Sequence, residues 1–147
     1  MKILIATDGS PYCRSAIEQY LFAPLFPGTE IRIVSAYKKS SPLMLAGAMS
    51  VLKDGYEKED GNAYSTAGEA ADHAANIVRR KNTGYTIITS VLDGAAKDVI
   101  LKEADAFGAE KIVIGASGQG FSERFRTGSV CRAVALNANC SVEIIRI

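Results

Sequence analysis

The sequence predicts one α/β domain, a parallel, doubly wound sheet with helices on both faces. Three observations carry that prediction. Five short runs of β-type residues recur along the 147 residues, and stretches of helical periodicity separate them. The first and fourth runs, KILIAT (2–7) and KIVIGA (111–116), are apolar almost throughout. Strands buried on both faces read this way, and strands that alternate with helices make right-handed crossovers that cover both faces of a parallel sheet.

The elements follow in order. After the strand at 2–7, a helix over about 10–22 opens with Ser10 as cap and Pro11 at its first position. EIRIVSAY (30–37) is the second strand. Within a long helix at about 62–81, Ala70, Ala74, Ile77 and Val78 recur at helical spacing. YTIITSVL (85–92) is the third strand. The helix at about 95–107 carries Val99, Ile100, Ala104 and Phe107 on one face and stops before Gly108. KIVIGA, a helix over about 128–138 and CSVEIIRI (140–147) complete the chain. Residues 38–60 exceed most connections in length. With Leu43, Met44, Leu45, Met49, Val51 and Leu52 they are too apolar for a solvated linker, so they form either a helix packed on the core edge or a flap over a site.

Composition narrows the function. The length fits a single domain spanning 1–147. Seventeen basic and 16 acidic residues leave a net charge of +1, too even for a nucleic-acid or membrane-surface partner held by bulk electrostatics, although a small local basic patch is compatible with it. No run approaches the roughly eighteen apolar residues of a membrane span, and the N-terminal run meets Asp8 too soon for a signal-peptide core. Cys13, Cys131 and Cys140 form no CxxC pair, so no disulfide framework or zinc site is indicated and a cytoplasmic location is the expectation. His73 is the only histidine; it lies beside the apolar stripe of its helix and reads as a surface residue, which leaves little for metal or triad chemistry.

In an open parallel sheet, ligands bind beyond the carboxyl ends of the strands, where strand order reverses. Two loops there carry suitable residues. After the first strand comes Thr7-Asp8-Gly9-Ser10, whose carboxylate can accept ribose hydroxyls, hold a metal ion or simply shape the turn. After the fourth comes GASGQGFSERFRTGSV (115–130). Gly115, Gly118 and Gly120 allow backbone amides to approach an anion and allow positive φ angles. Gly128-Ser129 opens the last helix, whose amides and dipole favour a phosphate, and Arg124 and Arg126 lie between. The stretch is not a P-loop, because Phe121 stands at the lysine position. Nor is it a dinucleotide fingerprint, because position 123 is not glycine.

Gly115-x-x-Gly118, nine residues, then Gly128-Ser129 resembles the nucleotide-binding pattern of the universal stress protein family. Thr7-Asp8 at the end of the first strand, the run VLDGAAKDVILKEADAFGAEKIVIGASG and the closing strand CSVEIIRI extend the resemblance over nearly the whole chain, most weakly over 38–84. The resemblance implies a Rossmann-like, adenine nucleotide α-hydrolase-like sheet of order 3-2-1-4-5 that pairs as a homodimer through residues 140–147. It further implies that Asp8 meets the ribose, that Ala6, Ala36 and Ile114 lie near the adenine, and that Gly115, Gly118, Gly128, Ser129 and Val130 wrap ribose and phosphates. Ser117 stands where the family often has a basic or histidine side chain, and Arg124 or Arg126 are candidates to replace that charge. The implied cofactor is ATP, ADP or AMP, with magnesium bridging its phosphates rather than held by protein ligands.

The function expected is that of an adenine-nucleotide-binding regulatory or sensor module in the stress response, with little or no hydrolysis and no assigned catalytic residue. The loop has no lysine, and Asp8 is already assigned to the sugar, so in-line attack on a γ-phosphate is poorly equipped. Two alternatives stand beside it: a slow ATPase or phosphotransferase switched on by a protein partner, and a dimeric scaffold that never holds nucleotide.

Overall fold

The structure is a computed structural model that describes residues 1–39, 53–81, 84–117 and 128–147. Five strands form one sheet: β1 (Lys2–Ala6), β2 (Glu30–Tyr37), β3 (Thr86–Asp93), β4 (Lys111–Gly115) and β5 (Ser141–Ile145). The sheet order is β3-β2-β1-β4-β5 and every pairing is parallel. The four described helices are α1 (Pro11–Tyr20), α2 (Lys53–Lys81), α3 (Ala96–Phe107) and α4 (Ser129–Asn137).

The side-chain alternation of β1 splits the core in two. Ile3 and Ile5 join Ile17 and Leu21 of α1 and the turn after it, Ala71, Ala74, Ile77 and Val78 of α2, and Val113 of β4. Leu4 and Ala6 face the other way, against Val99, Ile100 and Ala104 of α3 and Val134 of α4. Ile3, Leu4 and Ile5 are 0% exposed, which is why β1 shows no polar alternation.

Helix boundaries follow local chemistry. Ser10 caps α1, its hydroxyl oxygen accepting from the Cys13 amide at 3.2 Å, and Pro11 occupies the first turn. Gly108 ends α3 in the left-handed conformation at φ 67°. One boundary differs from expectation. Helix α2 begins at Lys53, well ahead of residue 62, so the tail of the long connection is helical. Gly61, Asn62, Tyr64, Ser65 and Thr66 are exposed, and a stretch with no apolar stripe cannot be read from periodicity. Tyr64 rests edge-on against Tyr37 at the end of β2, with ring centroids 5.3 Å apart. Of the 38–60 connection, residues 40–52, including all six apolar side chains named above, lie outside the described residues.

Candidate functional site

The site arises because β1 ends before its two neighbours do. Ala6 pairs with Val34, yet β2 continues through Ser35, Ala36 and Tyr37. On the other side Ile5 pairs with Val113 while β4 runs on to Gly115. After Ala6 the chain makes one more bond to β2, Thr7 N to Val34 O at 2.9 Å, and then turns away into α1. A crevice is left above the end of β1, at the point where strand order reverses. It encloses a cavity of about 280 Å³.

The walls are mostly apolar: Ala6, Val34 and Ala36 from the strands, Ile114 from β4, Ile100 from α3 and Val130 from α4. Polar groups sit at its rim, namely Thr7, Asp8, Cys13 and Ser129. An apolar slot with a few convergent polar groups is the usual form of a small-molecule site.

The Asp8 end is held by the turn itself. The Asp8 carboxylate accepts from the Ser10 amide at 2.9 Å, and the Thr7 hydroxyl accepts from the Gly9 amide at 3.2 Å. Asp8 therefore shapes the turn and also lines the cavity. The Cys13 thiol, 6% exposed, is pushed up to about 11, first by burial and then by its hydrogen bond to the Asp8 carboxylate. At neutral pH it is a neutral thiol and a hydrogen-bond donor to Asp8 rather than a nucleophile.

The opposite end is the start of α4. The Gly128 amide bonds to Ala116 O at 2.8 Å, and the Ala116 amide in turn bonds to Ile145 O at 2.8 Å, which fixes where the helix begins. The first intrahelical bond runs from Arg132 N to Gly128 O, so the amides of Ser129, Val130 and Cys131 precede the ladder. Gly128 brings no side chain to cap them. These groups and the helix dipole make this rim the anion-favouring part of the cavity.

Of the residues read from sequence as nucleotide contacts, Ala6, Asp8, Ala36, Ile114, Ser129 and Val130 line the one cavity. Gly115 ends β4 and Gly128 caps α4, both at its edge, and Ser117 follows, half-buried. Gly118, Arg124 and Arg126 lie outside the described residues. Of the three glycines read as free to take positive φ, Gly115 does not use that freedom, and Gly118 and Gly120 lie outside the described residues; Gly128 has φ −59°. A Cβ on Gly115 would meet Ser117 O at 3.4 Å and Cys13 Sγ at 3.6 Å, and one on Gly128 would meet Ala116 O at 3.5 Å, all ordinary contacts. The glycine that this site needs sterically is Gly9, at φ 75° with Ala70 Cβ only 2.8 Å from a built Cβ.

Sequence reasoning did not select Thr7, Cys13, Val34, Ala96 or Ile100 as lining residues. Val34 was within reach, because alternation along β2 puts it on the same face as Ala36. Ala96 and Ile100 arrive from α3, whose closeness to the β1 end is a tertiary fact. His73 is exposed on α2, as its helical position suggested. Among the described residues no cluster of three or more potential metal ligands occurs, and no helix is long and apolar enough to cross a membrane.

Comparison with known families decides the fold's kinship. A sequence model of the universal stress protein family matches residues 1–146. The chain belongs to that family. Solved universal stress proteins share its architecture: one from Archaeoglobus fulgidus in complex with dAMP aligns with TM-score 0.68 and 24% identity, covering 99% of this chain and 98% of that one. UspA from Lactobacillus plantarum aligns with TM-score 0.67 and 19% identity over 99% and 97% of the two chains. A family member from Arabidopsis thaliana with AMP bound aligns with TM-score 0.64 and 17% identity over 99% and 91%. A further universal stress protein of this fold is in complex with cAMP. No curated protein sequence matches the chain.

Proposed function

We propose that this universal stress protein is an adenine-nucleotide-binding regulatory module that acts as a homodimer and turns nucleotide over slowly or not at all. The observation that carries the reading is the cavity itself: a slot with apolar walls, a carboxylate at one rim and, at the other, a helix N-terminus to which the N-cap Gly128 brings no side chain. A purine is planar and largely apolar on its faces, which suits Ala6, Ala36 and Ile114. Ribose hydroxyls are donors, which suits Asp8. Phosphate oxygens suit the α4 amides and the Ser129 hydroxyl. That relatives of the same fold hold AMP, dAMP or cAMP supports the same ligand class here.

ATP is the ligand that the two-part glycine motif favours, with magnesium carried on its phosphates. Gly118, Arg124 and Arg126 are the further residues proposed to meet them. The test is calorimetric titration of the whole chain with AMP, ADP and ATP, with and without magnesium, beside chromatography of whatever the denatured protein releases. Saturable binding lost in Asp8→Ala supports the reading. Absence of both co-purified nucleotide and binding heat at millimolar ligand refutes it and leaves the scaffold alternative. ADP formation at or above about one turnover per second, within the ordinary enzyme range, would make the protein an ATPase instead.

Dimerisation is proposed through β5, which forms one edge of the sheet. Ile144 is 37% and Ile147 68% exposed, an apolar edge of the kind that pairs with another strand. Light scattering that finds a monomer at micromolar concentration would contradict this.

A further inference from the structure

At the end of the sheet opposite the cavity, the loop between α1 and β2 exposes two aromatic rings. Phe22 is 88% and Phe26 71% exposed. Neither belongs to the β5 edge, and both are tied into turns by backbone hydrogen bonds. The Phe22 amide bonds to Gln19 O at 3.1 Å. Phe26 begins a tight turn in which its carbonyl accepts from the Thr29 amide at 3.2 Å and the Thr29 hydroxyl at 2.6 Å. Pro27 and Gly28, the latter at φ 76°, make that turn stiff. Between the rings, Leu25 points inward and is anchored by the Tyr85 phenol, which accepts from Leu25 N at 2.9 Å and donates to Leu25 O at 3.3 Å. The loop thus holds both rings out on a fixed backbone, an arrangement that marks an interaction surface rather than a scattered exposed residue.

The charge beside it identifies the partner. Leu25 packs on the cluster that contains Ile77 and Val78 of α2, and the next three residues, Arg79, Arg80 and Lys81, are all exposed. Arg79 donates to Asn76 Oδ1 at 3.1 Å. Four acidic residues belong to this end of the sheet: Glu18, exposed one turn before Phe22, Asp105 in the last turn of α3, Glu30 and Glu110. Glu30 is exposed, and Glu110 lies 3.9 Å from the N-terminal amine. Glu110 is paired with the N-terminal amine and Asp105 accepts from Asn139, so beside the aromatic loop the three consecutive cations of α2 stand against Glu18 and Glu30. Aromatic side chains that enter the boundary between headgroups and acyl chains, beside lysines and arginines that stay with acidic headgroups, are the means by which a folded protein rests on a bilayer. We propose that Phe22, Phe26 and the Arg79–Lys81 turn form a reversible docking surface for an anionic lipid bilayer. The surface is independent of the nucleotide cavity and stands whether or not that cavity holds nucleotide.

The chain has no tryptophan, so the single indole of Phe26→Trp reports insertion directly. The probes are phosphatidylcholine vesicles with and without phosphatidylserine. With phosphatidylserine present, the expected result is co-sedimentation at low salt, a blue-shifted emission for Phe26→Trp and protection of its indole from iodide. Phe22→Ser with Phe26→Ser, and separately Arg79→Gln with Arg80→Gln and Lys81→Gln, should each weaken partitioning by about tenfold or more, because both anchors are required. These side chains are exposed, and circular dichroism verifies that the variants keep the fold. Three results overturn the proposal: no sedimentation with anionic vesicles; sedimentation of the Phe26→Trp variant with its indole emission unshifted and open to iodide; or equal binding to phosphatidylcholine alone.

Discussion

Gly9→Ala tests how the turn after β1 is built. Gly9 sits at φ 75° between Asp8 and Ser10, and a Cβ placed there would lie 2.8 Å from Ala70 Cβ on α2. Two penalties follow. A non-glycine residue in the left-handed region costs about 1–2 kcal/mol. The new methyl is about 0.7–1.2 Å inside the 3.5–4.0 Å carbon–carbon optimum, and the obstacle is the short, stiff side chain of a buried helix residue that cannot swing aside. Overpacking of this kind costs about 1–3 kcal/mol. Alanine also narrows the unfolded ensemble and returns about 0.4–1 kcal/mol. The net destabilisation is about 3 kcal/mol, within a range of about 1–5.

The two penalties can be separated. Ala70→Gly removes the obstacle, and alone it costs about 1 kcal/mol as a glycine in a helix. In the Gly9→Ala background it should relieve the clash but leave the backbone strain. Urea unfolding of the two single variants and the double variant then gives a coupling energy of about 1–3 kcal/mol. If Gly9→Ala shifts stability by less than about 0.5 kcal/mol, or the cycle shows no coupling, the close approach of this turn to α2 is refuted.

The other glycines and the buried polar groups give further predictions. Gly115→Ala should keep stability within about 1 kcal/mol of wild type, because its contacts are ordinary and its φ is not positive; a larger loss in thermal unfolding would contradict the described strand end. For Cys13, moving the thiol from its usual 9.0 to about 11 favours the neutral form in the folded state. Its contribution, about 2–3 kcal/mol, is therefore complete below pH 9 and is lost as pH rises towards 11, since the unfolded chain releases that proton first. The difference between wild type and Cys13→Ala, followed by urea midpoints across that range, isolates it from other alkaline groups. Glu103 accepts from Arg32 Nη1 at 2.8 Å and from the Ser90 hydroxyl at 3.1 Å, while the guanidinium stacks 4.4 Å from the Phe107 ring centre. Glu103→Ala should cost about 1.5–3 kcal/mol by stranding that guanidinium, and replacing Arg32 by Met as well should recover part of the loss; no recovery would argue against the pair.

The parts legible in the sequence are those whose physical cause is local. Apolar continuity at 2–7 and 111–116 marks strands buried on both faces. Ser10-Pro11 and Gly108 mark helix ends because caps and left-handed glycines act within a few residues. The start of α2 was not legible. Around residue 62, Gly61, Asn62, Tyr64, Ser65 and Thr66 are exposed, so the signal that reveals a helix, a stripe turned to a core, is missing there. Its stability comes from the later turns, where Ala71, Ala74, Ala75 and Val78 are buried, and the first turns extend a helix already nucleated.

The site divides the same way. Asp8 and Ser129 could be placed at this cavity because they sit at the carboxyl end of a strand and the start of a helix, and the parallel topology sends all such ends to one side of the sheet, whereas Ala36 came from the family resemblance. Ile100 and Ala96 could not, since nothing in the spacing of α3 reveals that it overhangs the end of β1. The glycines show the limit most sharply. Gly115 and Gly128 belong to the motif, yet the described backbone would accept alanine at either. Gly9 belongs to no counted spacing, and it is the position that a side chain cannot occupy. The proposal that a nucleotide passes close to the backbone at Gly115 and Gly128 can therefore be tested apart from folding. If Gly115→Ala folds as wild type and still weakens nucleotide binding, the requirement lies with the ligand; if it folds and binds unchanged, the motif's first glycine has no role in the cradle of this chain.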